Sequence, residues 1–339
     1  MRVRTLLNRM LTGLSKQPRL REGLFVDRSY SNNLGKRNYK VYIPKGYRGI
    51  PMPAVVMLHG CTQSPEDFAA GTCMNDLADR AGFVVIYPAQ CVAANGLKCW
   101  SWFNAKDQVR EGSEPSLIAA ITMEAAAEFA VDRQRIFIAG LSAGAAMAVI
   151  LGATYPDLFS AVGAHSGLPY RAARSVMSAL AAMRGEPLEH SNLDADSVAQ
   201  LGSFPDSAAM PTIVFHGDQD ATVSIGNGAA IVEQAVDRFA NRLVPLRTTH
   251  EQGSANGREF TASTFFDPRE RPMVAHWVIH GAGHAWSGGS SKGSYSDSQG
   301  PDASAEMVRF FFAQESRRGK LQIWRPRIRA VEIGAMISP

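Results

Sequence analysis

The sequence predicts an α/β fold, with a mostly parallel central sheet and helices on both of its faces. Two observations lead to this prediction. First, short runs rich in β-branched residues alternate with longer helical patterns, and this alternation is typical of parallel strands joined by helices. Second, a serine between two glycines directly follows one of these runs and begins an apolar helical pattern. Together these features favour one domain over two, although 339 residues would allow either number.

The individual elements follow from local patterns: uninterrupted runs of Val, Ile and Phe indicate strands, and longer apolar patterns indicate helices. Strands are expected at Asn38–Ile43, Ala54–Leu58, Phe83–Tyr87, Arg135–Ala139, Ala161–His165, Thr212–Phe215 and Met273–Ile279. Helices are expected around Glu66–Ala81, Pro115–Val131, Ala145–Tyr155 and Ala303–Ala313.

The predicted α/β domain spans residues 36–314, and three segments differ from its regular alternation. Residues 1–35 are expected to form a basic leader, because the part up to Arg21 contains six basic residues and no acidic one. Residues 315–339 are expected to form a basic tail. Residues 168–210 place more than one helix's length of sequence between two predicted strands. This spacing indicates either a helical cap-like insertion over a pocket or an elongated surface crossover.

Composition argues against several classes of protein. The chain has 35 Lys and Arg residues and 31 Asp and Glu residues, and the net charge of +4 is too small to indicate a nucleic-acid partner. With 45% hydrophobic and 19% charged residues, the composition is that of a globular protein with an ample core. No apolar run is long enough to span a bilayer, so we expect no transmembrane segment. The N-terminus begins with basic residues as an export signal does, but Asn8 and Arg9 interrupt the apolar stretch that such a signal needs.

Four cysteines, Cys61, Cys73, Cys91 and Cys99, lie within one short stretch of the chain. They include no Cys-x-x-Cys pair and no neighbouring pair of histidines, so we expect no metal site. Two disulfides in any of three connectivities would fit an oxidising compartment, and four reduced thiols would fit a cytosolic protein. Both alternatives stay open, and a bond between Cys61 and Cys99 is one interpretation within the first.

The segment Gly140-Leu141-Ser142-Ala143-Gly144 lies between a predicted strand and a predicted helix, which is the position of a nucleophile elbow. Glycine is needed there because the turn is tight and side chains would collide with the neighbouring strand and helix. The same pattern recurs at Gly289–Gly293, around Ser291, but no strand precedes it. We therefore predict that Ser142 is a nucleophile and that Ser291 lies in a loop.

A serine nucleophile needs a base, and the base needs an acid to orient it. In a sheet of this type the acid and then the histidine follow the serine along the chain, each on a loop after a later strand. One such loop offers Asp218 and Asp220, and we favour Asp220 because Asp218 better suits a side chain that stabilises the turn. The next offers His280 and His284, and we favour His284 because a Gly-Ala-Gly turn before it allows the ring to reach Ser142.

The tetrahedral intermediate of ester cleavage also needs backbone N–H donors for its oxyanion. Ala143 directly follows the nucleophile, and Cys61 lies in the loop after an early strand, so we predict their N–H groups as the two donors. Trp100, Trp102 and Trp286 lie beside the predicted site loops. We expect them to be exposed and to line a substrate site, although aromatic residues are also common in protein cores.

Six blocks of the sequence, in this order, resemble the PHB depolymerase family of esterases: LHGCTQS (58–64), YPAQ (87–90), CWSWF (99–103), GLSAGAAM (140–147), HGDQDATV (216–223) and GAGHAWSGG (281–289). The resemblance extends from Tyr39 to Phe312. It implies an α/β-hydrolase fold, similar to that of feruloyl and acetylxylan esterases. It also implies a triad of Ser142, Asp220 and His284 with an oxyanion hole at Cys61 and Ala143, in agreement with the assignment made from the residues alone.

The family pattern assigns no role to Cys73 and Cys91, and a disulfide between them is a hypothesis. Many members of the family are exported, which together with the clustered cysteines favours an extracellular or periplasmic location. The interrupted leader favours a cytoplasmic alternative.

The expected function is hydrolysis of carboxylic esters through an acyl-enzyme, with no cofactor. The expected substrates are esters of short hydroxyacids, such as poly- or oligo(3-hydroxybutyrate). Feruloyl or acetyl esters of plant polysaccharides are the alternative. An acyltransferase and a silent binding scaffold are further alternatives, and the complete set of catalytic groups disfavours the second.

Overall fold

The computed structural model describes residues 20–186 and 209–314. In these residues the main sheet is built from β1 (Leu24–Asn32), β2 (Gly35–Ile43), β3 (Met52–Leu58), β4 (Val84–Pro88), β5 (Val131–Leu141), β6 (Val162–His165), β7 (Thr212–Gly217), β8 (Arg247–Ala255), β9 (Arg258–Phe266) and β10 (Pro272–Ile279). A separate short pair consists of β11 (Trp286–Ser287) and β12 (Ser296–Asp297). The helices are α1 (Pro65–Thr72), α2 (Met74–Ala81), α3 (Ser113–Glu128), α4 (Ala143–Thr154), α5 (Val176–Met183), α6 (Ile225–Ala240) and α7 (Ala303–Ala313), with a short 3-10 helix at Ala105–Asp107.

The strands of the main sheet are ordered β1-β2-β4-β3-β5-β6-β7-β10-β9-β8. From β4 to β10 all neighbours are parallel, whereas β1, β2, β8 and β9 pair antiparallel at the two edges. Parallel strands need crossover connections, and here helices supply them on the faces of the sheet. The predicted α/β class with a mostly parallel central sheet is therefore confirmed.

The central strand β3 shows why its sequence is apolar at almost every position. Ala54, Val56 and Leu58 pack in one hydrophobic cluster, and Val55 and Met57 pack in another. Because successive side chains of a strand point to opposite faces, the two clusters are the cores on the two sides of the sheet. A strand covered on both faces has no polar side, in contrast to an edge strand.

The predicted helix at Glu66–Ala81 is two helices. Ser64 caps α1 by accepting a hydrogen bond from Asp67 N at 3.2 Å. Cys73 then adopts a left-handed backbone conformation, with φ of 52°, and separates α1 from α2. The prediction of one continuous helix is therefore wrong at this residue.

Two edge elements were not predicted from the sequence. β1 lies inside the segment expected to be a leader, so residues 24–35 belong to the sheet and the boundary at residue 36 is wrong. The hairpin of β8 and β9 turns at Asn256-Gly257, where both residues have positive φ. An Asn-Gly pair is a strong hairpin signal because both turn positions require that conformation.

Of the three atypical segments, the leader and the insertion lie partly outside the described residues, and the tail lies wholly outside them. The described part of the 168–210 insertion contains α5, and residues 187–208 lie outside it. Residues 1–19 of the leader and the whole tail at 315–339 also lie outside. The cap-like role of the insertion and the nature of the two basic ends stay predictions. None of the described helices combines the length and apolar composition needed to cross a bilayer.

A disulfide joins Cys61 and Cys99, and Cys73 and Cys91 are free thiols. The bond ties the loop after β3 to the loop after β4. The hypothesis of a second disulfide between Cys73 and Cys91 is wrong.

The disulfide pattern predicts the outcome of a thiol titration. Denatured protein without a reductant should expose two reactive thiols, because Cys73 and Cys91 are free, and reduced denatured protein should expose four. Titration with Ellman's reagent in guanidinium measures both numbers. Four reactive thiols before reduction would contradict the Cys61–Cys99 bond. No reactive thiol before reduction would indicate a second disulfide, between Cys73 and Cys91.

Two histidines are buried close to the ends of the central strands. Burial lowers the pKa of His59 to about 4 and that of His165 to about 3, so both imidazoles are neutral at neutral pH. In the unfolded chain a histidine has a pKa of about 6.5. Below that pH the unfolded chain binds protons that the folded protein does not, so the stabilisation is complete above about pH 6.5 and decreases as the pH falls toward 4.

We therefore expect the free energy of unfolding to decrease by up to about 2 kcal/mol for each of His59 and His165 between about pH 7.5 and pH 5. Urea denaturation at the two pH values measures the decrease. The matched control is His250→Gln, which removes an exposed histidine of β8 and should leave the decrease unchanged.

His276, whose pKa burial also lowers to about 4, adds to the decrease, whereas Glu306, whose pKa burial raises to about 7, opposes it. The contribution of each histidine is therefore read from His59→Gln and His165→Gln, each of which should make the decrease smaller than in wild type. An unchanged decrease in both variants would contradict the buried neutral state.

Candidate active site

Ser142 lies at the tight turn between β5 and α4, with φ of 57° and ψ of −121°. Few non-glycine residues adopt such a conformation, and here neighbouring glycines make it sterically accessible. A Cβ atom on Gly140 would lie 2.4 Å from Gly144 C, and one on Gly144 would lie 2.1 Å from Leu58 O. Ser142 N donates a hydrogen bond to His165 O at 2.9 Å. The geometry is that of the strand-to-helix elbow expected from the sequence.

Asp220 lies in the loop after β7 and is the partner of His284, which lies in the loop after β10. His284 Nδ1 is 2.7 Å from Asp220 Oδ2, and the carboxylate has no exposed side-chain surface. The other oxygen, Oδ1, accepts hydrogen bonds from Thr222 N at 2.9 Å and Val223 N at 2.8 Å. The loop thus folds back on its own aspartate and fixes the direction of the carboxylate.

His216 is a further neighbour of this carboxylate. Its Nε2 donates a hydrogen bond to Val223 O at 2.8 Å and lies 3.5 Å from Asp220 Oδ2. Burial alone would raise the pKa of Asp220, but the hydrogen bonds from His216, His284 and Val223 N outweigh it and hold the pKa well below its usual range. Asp220 is therefore ionised. A neutral His284 that donates through Nδ1 keeps Nε2 as an acceptor.

No hydrogen bond joins Ser142 Oγ to the imidazole of His284 in this structure, and His165 connects their two loops instead. His165 O accepts from Ser142 N, and His165 Nε2 accepts from Ser287 N at 3.0 Å. Ser287 lies three residues after His284 along the chain. Catalytic hydrogen bonds are often long in proteins without substrate and become shorter when substrate binds.

The alternative candidates from the same loops form a second pair. His280 Nδ1 is 2.9 Å from Asp218 Oδ2, and His280 Nε2 is 2.9 Å from Thr261 Oγ1. Asp218 Oδ1 also accepts from Gly281 N at 2.7 Å. Both ring nitrogens of His280 are occupied, so the pair links β7, β9 and β10. Ser291, the second serine in a Gly-x-Ser-x-Gly pattern, lies exposed in the loop between β11 and β12.

The predicted oxyanion donors lie on two elements that meet at Ser142. Ala143 is the first residue of α4, so its N–H has no acceptor within the helix. The N–H of Cys61 has no acceptor among the described residues. A Cβ atom on Gly60 would lie 3.7 Å from Ser142 Cβ, which places the loop around Cys61 against the serine.

Buried groups hold the loop around Cys61 in place. His59 Nε2 accepts a hydrogen bond from Gln90 N at 3.1 Å, so Nδ1 carries the proton and donates to Gly60 O at 2.7 Å. Trp100 Nε1 donates to His59 O at 3.0 Å. His59 is thus a neutral structural histidine that orients the backbone immediately before the predicted oxyanion donor.

A buried carboxylate, Glu114 of α3, supports the same region and was not singled out from the sequence. Its Oε2 accepts from Ser101 N at 2.6 Å, and its Oε1 accepts from Gln90 Nε2. Arg37 Nη2 lies 3.6 Å away. Burial raises the pKa of Glu114. The sequence around Glu114 does not indicate that it supports this loop, because its partners lie in other segments of the chain.

The three tryptophans expected to be exposed are buried, so that expectation is wrong. Trp100 holds the loop after β3, and Trp286 donates to Ser304 Oγ at 3.0 Å while its ring lies 5.2 Å from that of His165. The exposed fraction is 0% for Trp100, 1% for Trp286 and 6% for Trp102. A substrate contact needs accessible ring surface, so this role stays a prediction chiefly for Trp102.

An exposed aromatic residue that the sequence did not indicate lies beside the site. The ring of Tyr295 is 6.5 Å from that of His284, and its hydroxyl is 3.4 Å from Thr62 Oγ1. The described residues contain no group of three or more His, Cys, Asp or Glu side chains arranged to hold a metal ion. The groups gathered here are therefore a hydroxyl, an imidazole, a carboxylate and backbone donors.

Comparison with known proteins identifies the family. Residues 37–253 match the family model described as Esterase PHB depolymerase. Poly(3-hydroxyalkanoate) depolymerase C of Paucimonas lemoignei is 30% identical over 257 residues, which are 76% of this chain and 60% of that protein. Probable acetylxylan esterase A of Aspergillus fumigatus is 31% identical over 140 residues, which are 41% of this chain and 36% of that protein. The chain thus spans 60% or less of the length of these two relatives.

Among solved structures, the acetyl xylan esterase from Aspergillus awamori superposes with a TM-score of 0.63 at 18% identity, covering 85% of this chain and 99% of that one. This similarity confirms the α/β-hydrolase fold. The family model covers more than half of the sequence, and the chain therefore belongs to the Esterase PHB depolymerase family.

Proposed function

We propose that this protein is a serine esterase that hydrolyses carboxylic esters through a covalent acyl-enzyme. The observation that carries the proposal is the 2.7 Å hydrogen bond between His284 and the buried Asp220, on loops linked through His165 to the strained turn at Ser142. Membership of the Esterase PHB depolymerase family and the names of the relatives support the same reaction.

In the first half of the reaction, His284 Nε2 accepts the hydroxyl proton of Ser142 while Oγ attacks the ester carbonyl carbon. The carbonyl oxygen becomes an oxyanion and accepts hydrogen bonds from the N–H groups of Cys61 and Ala143. The intermediate then collapses, the bond to the alcohol oxygen breaks, and the alcohol leaves with the proton held by His284. The acyl group is left on Ser142.

In the second half, water replaces the alcohol. His284 takes a proton from the water as it attacks the acyl carbonyl, and the same oxyanion donors stabilise the second intermediate. Collapse releases the carboxylic acid and returns the proton to Ser142. Asp220 stays ionised throughout and stabilises the imidazolium form of His284 in both halves.

The proposed substrates are esters of short hydroxyacids, such as oligomers of 3-hydroxybutyrate. The family model and the 30% identical poly(3-hydroxyalkanoate) depolymerase C support this class. Feruloyl or acetyl esters of plant polysaccharides are the second candidate, supported by the acetylxylan esterase relative, which matches a shorter part of the chain.

The Ser142→Ala variant should lose at least about 10⁴-fold in kcat, because the substitution removes the hydroxyl proposed to form the acyl-enzyme. The matched control is Ser291→Ala, which changes the serine of the second Gly-x-Ser-x-Gly pattern and should keep wild-type rates. Initial rates of acid release from 3-hydroxybutyrate trimer and from methyl ferulate measure both the chemistry and the substrate class. Faster release from ferulate would favour the second candidate, and Ser142-independent release would reject the nucleophile.

The two Asp–His pairs allow a second matched comparison. Asp220→Asn should lower kcat by about 10³- to 10⁴-fold, since an amide neither holds the His284 tautomer nor stabilises its cation. Asp218→Asn should change kcat by no more than about 3-fold, because its partner His280 is already engaged with Thr261. The measurement is kcat for steady-state hydrolysis of a p-nitrophenyl ester. Similar losses in both variants would contradict the assignment of Asp220.

A further inference from the structure

Tyr295 is an exposed aromatic residue at the edge of the proposed catalytic site. Its exposed fraction is 46%. The centre of its ring lies 6.5 Å from the centre of the His284 ring, and its hydroxyl lies 3.4 Å from Thr62 Oγ1. Thr62 directly follows Cys61. The phenol therefore spans the distance between the proposed base and the proposed oxyanion loop.

The backbone of Tyr295 is held in an unfavourable conformation. Its φ is 49°, a left-handed value that is rare for a bulky residue. The residues on either side anchor it: Ser294 N donates to Asp67 Oδ1 at 2.8 Å, and Ser296 pairs with Trp286 in the short parallel ladder. Tyr295 O itself accepts from Trp286 N at 2.7 Å. Strain that is maintained in this way is common at ligand contacts.

One side chain, that of Gln63, connects this segment to the oxyanion loop. Its Oε1 accepts a hydrogen bond from Gly60 N at 2.9 Å, and its Nε2 donates to Ser294 O at 3.0 Å. The same amide thus holds the residue before Cys61 and the residue before Tyr295. The backbone segments that carry Cys61 and Tyr295 are thereby linked through one side chain.

The hydroxyl of Tyr295 has a weak protein partner. Thr62 Oγ1 donates its only hydrogen to Cys61 O at 2.6 Å, so it does not also donate to Tyr295. The distance of 3.4 Å between the Thr62 and Tyr295 hydroxyl oxygens is also long for a hydrogen bond. A substrate oxygen at ordinary hydrogen-bond distance would be a better acceptor for the phenol O–H. The exposed ring face offers an apolar surface beside it.

We propose that Tyr295 is a specificity-determining residue that binds oligomeric esters beside the bond to be cleaved. Its ring packs on the short alkyl part of the adjacent hydroxyacid unit, and its hydroxyl donates a hydrogen bond to the carbonyl oxygen of the next ester group. A simple acetyl ester has no second carbonyl and cannot make this contact. The inference rests on the proposed serine esterase function and names a determinant of its substrate class.

The test compares Tyr295→Phe and Tyr295→Ala with wild type on 3-hydroxybutyrate trimer and on p-nitrophenyl acetate. We expect Tyr295→Phe to lower the ratio of kcat/KM for trimer to that for acetate by about 5- to 10-fold, mainly through the KM for trimer. Tyr295→Ala should lower the ratio further because it also removes the ring. The matched control is Tyr30→Phe on the edge strand β1, which should keep the wild-type ratio.

Binding without turnover provides an independent measurement. Calorimetry should show that Ser142→Ala binds the trimer about 5- to 10-fold more tightly than the Ser142→Ala, Tyr295→Phe double variant. An unchanged ratio in turnover, or equal losses on both substrates with a lower Tm, would overturn the proposal and indicate a structural role. Absence of Ser142-dependent hydrolysis by wild type would reject the proposed function instead. In that case the binding comparison decides, and equal or undetectable trimer binding would overturn the Tyr295 contact as well.

Discussion

A carboxylate that is removed from water loses several kcal/mol of hydration unless hydrogen-bond donors replace it. Asp220 has no exposed side-chain surface, and two backbone N–H groups together with His284 Nδ1 provide the replacement. The rest of the site depends on this arrangement. It keeps the carboxylate ionised and engages one nitrogen of His284, so the other nitrogen is the one left to exchange a proton with Ser142, the proposed nucleophile.

Neutral buried histidines connect the parts of the site without taking part in the proposed chemistry. His165 accepts a backbone N–H from the loop of His284 through its ring and another from Ser142 through its carbonyl. His59 orients Gly60, immediately before the proposed oxyanion donor. Burial keeps the pKa of both rings low, so the connections persist at neutral pH. Backbone groups that would otherwise be unpaired are thereby satisfied at the point where the loops meet.

Elements covered on both faces were predictable from the sequence because their apolar runs are long and uninterrupted, as in β3. Edge elements were not, since half of their side chains face solvent and the apolar signal is weak. β1 and the hairpin of β8 and β9 are of this kind, although Asn256-Gly257 carried a turn signal. The prediction that the three tryptophans are exposed was wrong for a related reason. The local sequence around an aromatic residue near a glycine-rich loop is the same whether the ring lines a cleft or fills the core beneath it.

By itself, the sequence determined the α/β class, the elbow around Ser142 and the order of serine, acid and histidine along the chain. These features are encoded locally, in periodicity and in the spacing of glycines. The sequence favoured Asp220 and His284 over Asp218 and His280, but only the tertiary structure shows how the pair is held, by a loop that folds back so that its own backbone amides bind the Asp220 carboxylate. The tertiary structure also decided that Tyr295 stands beside His284, since that placement depends on hydrogen bonds to residues more than two hundred positions earlier in the chain.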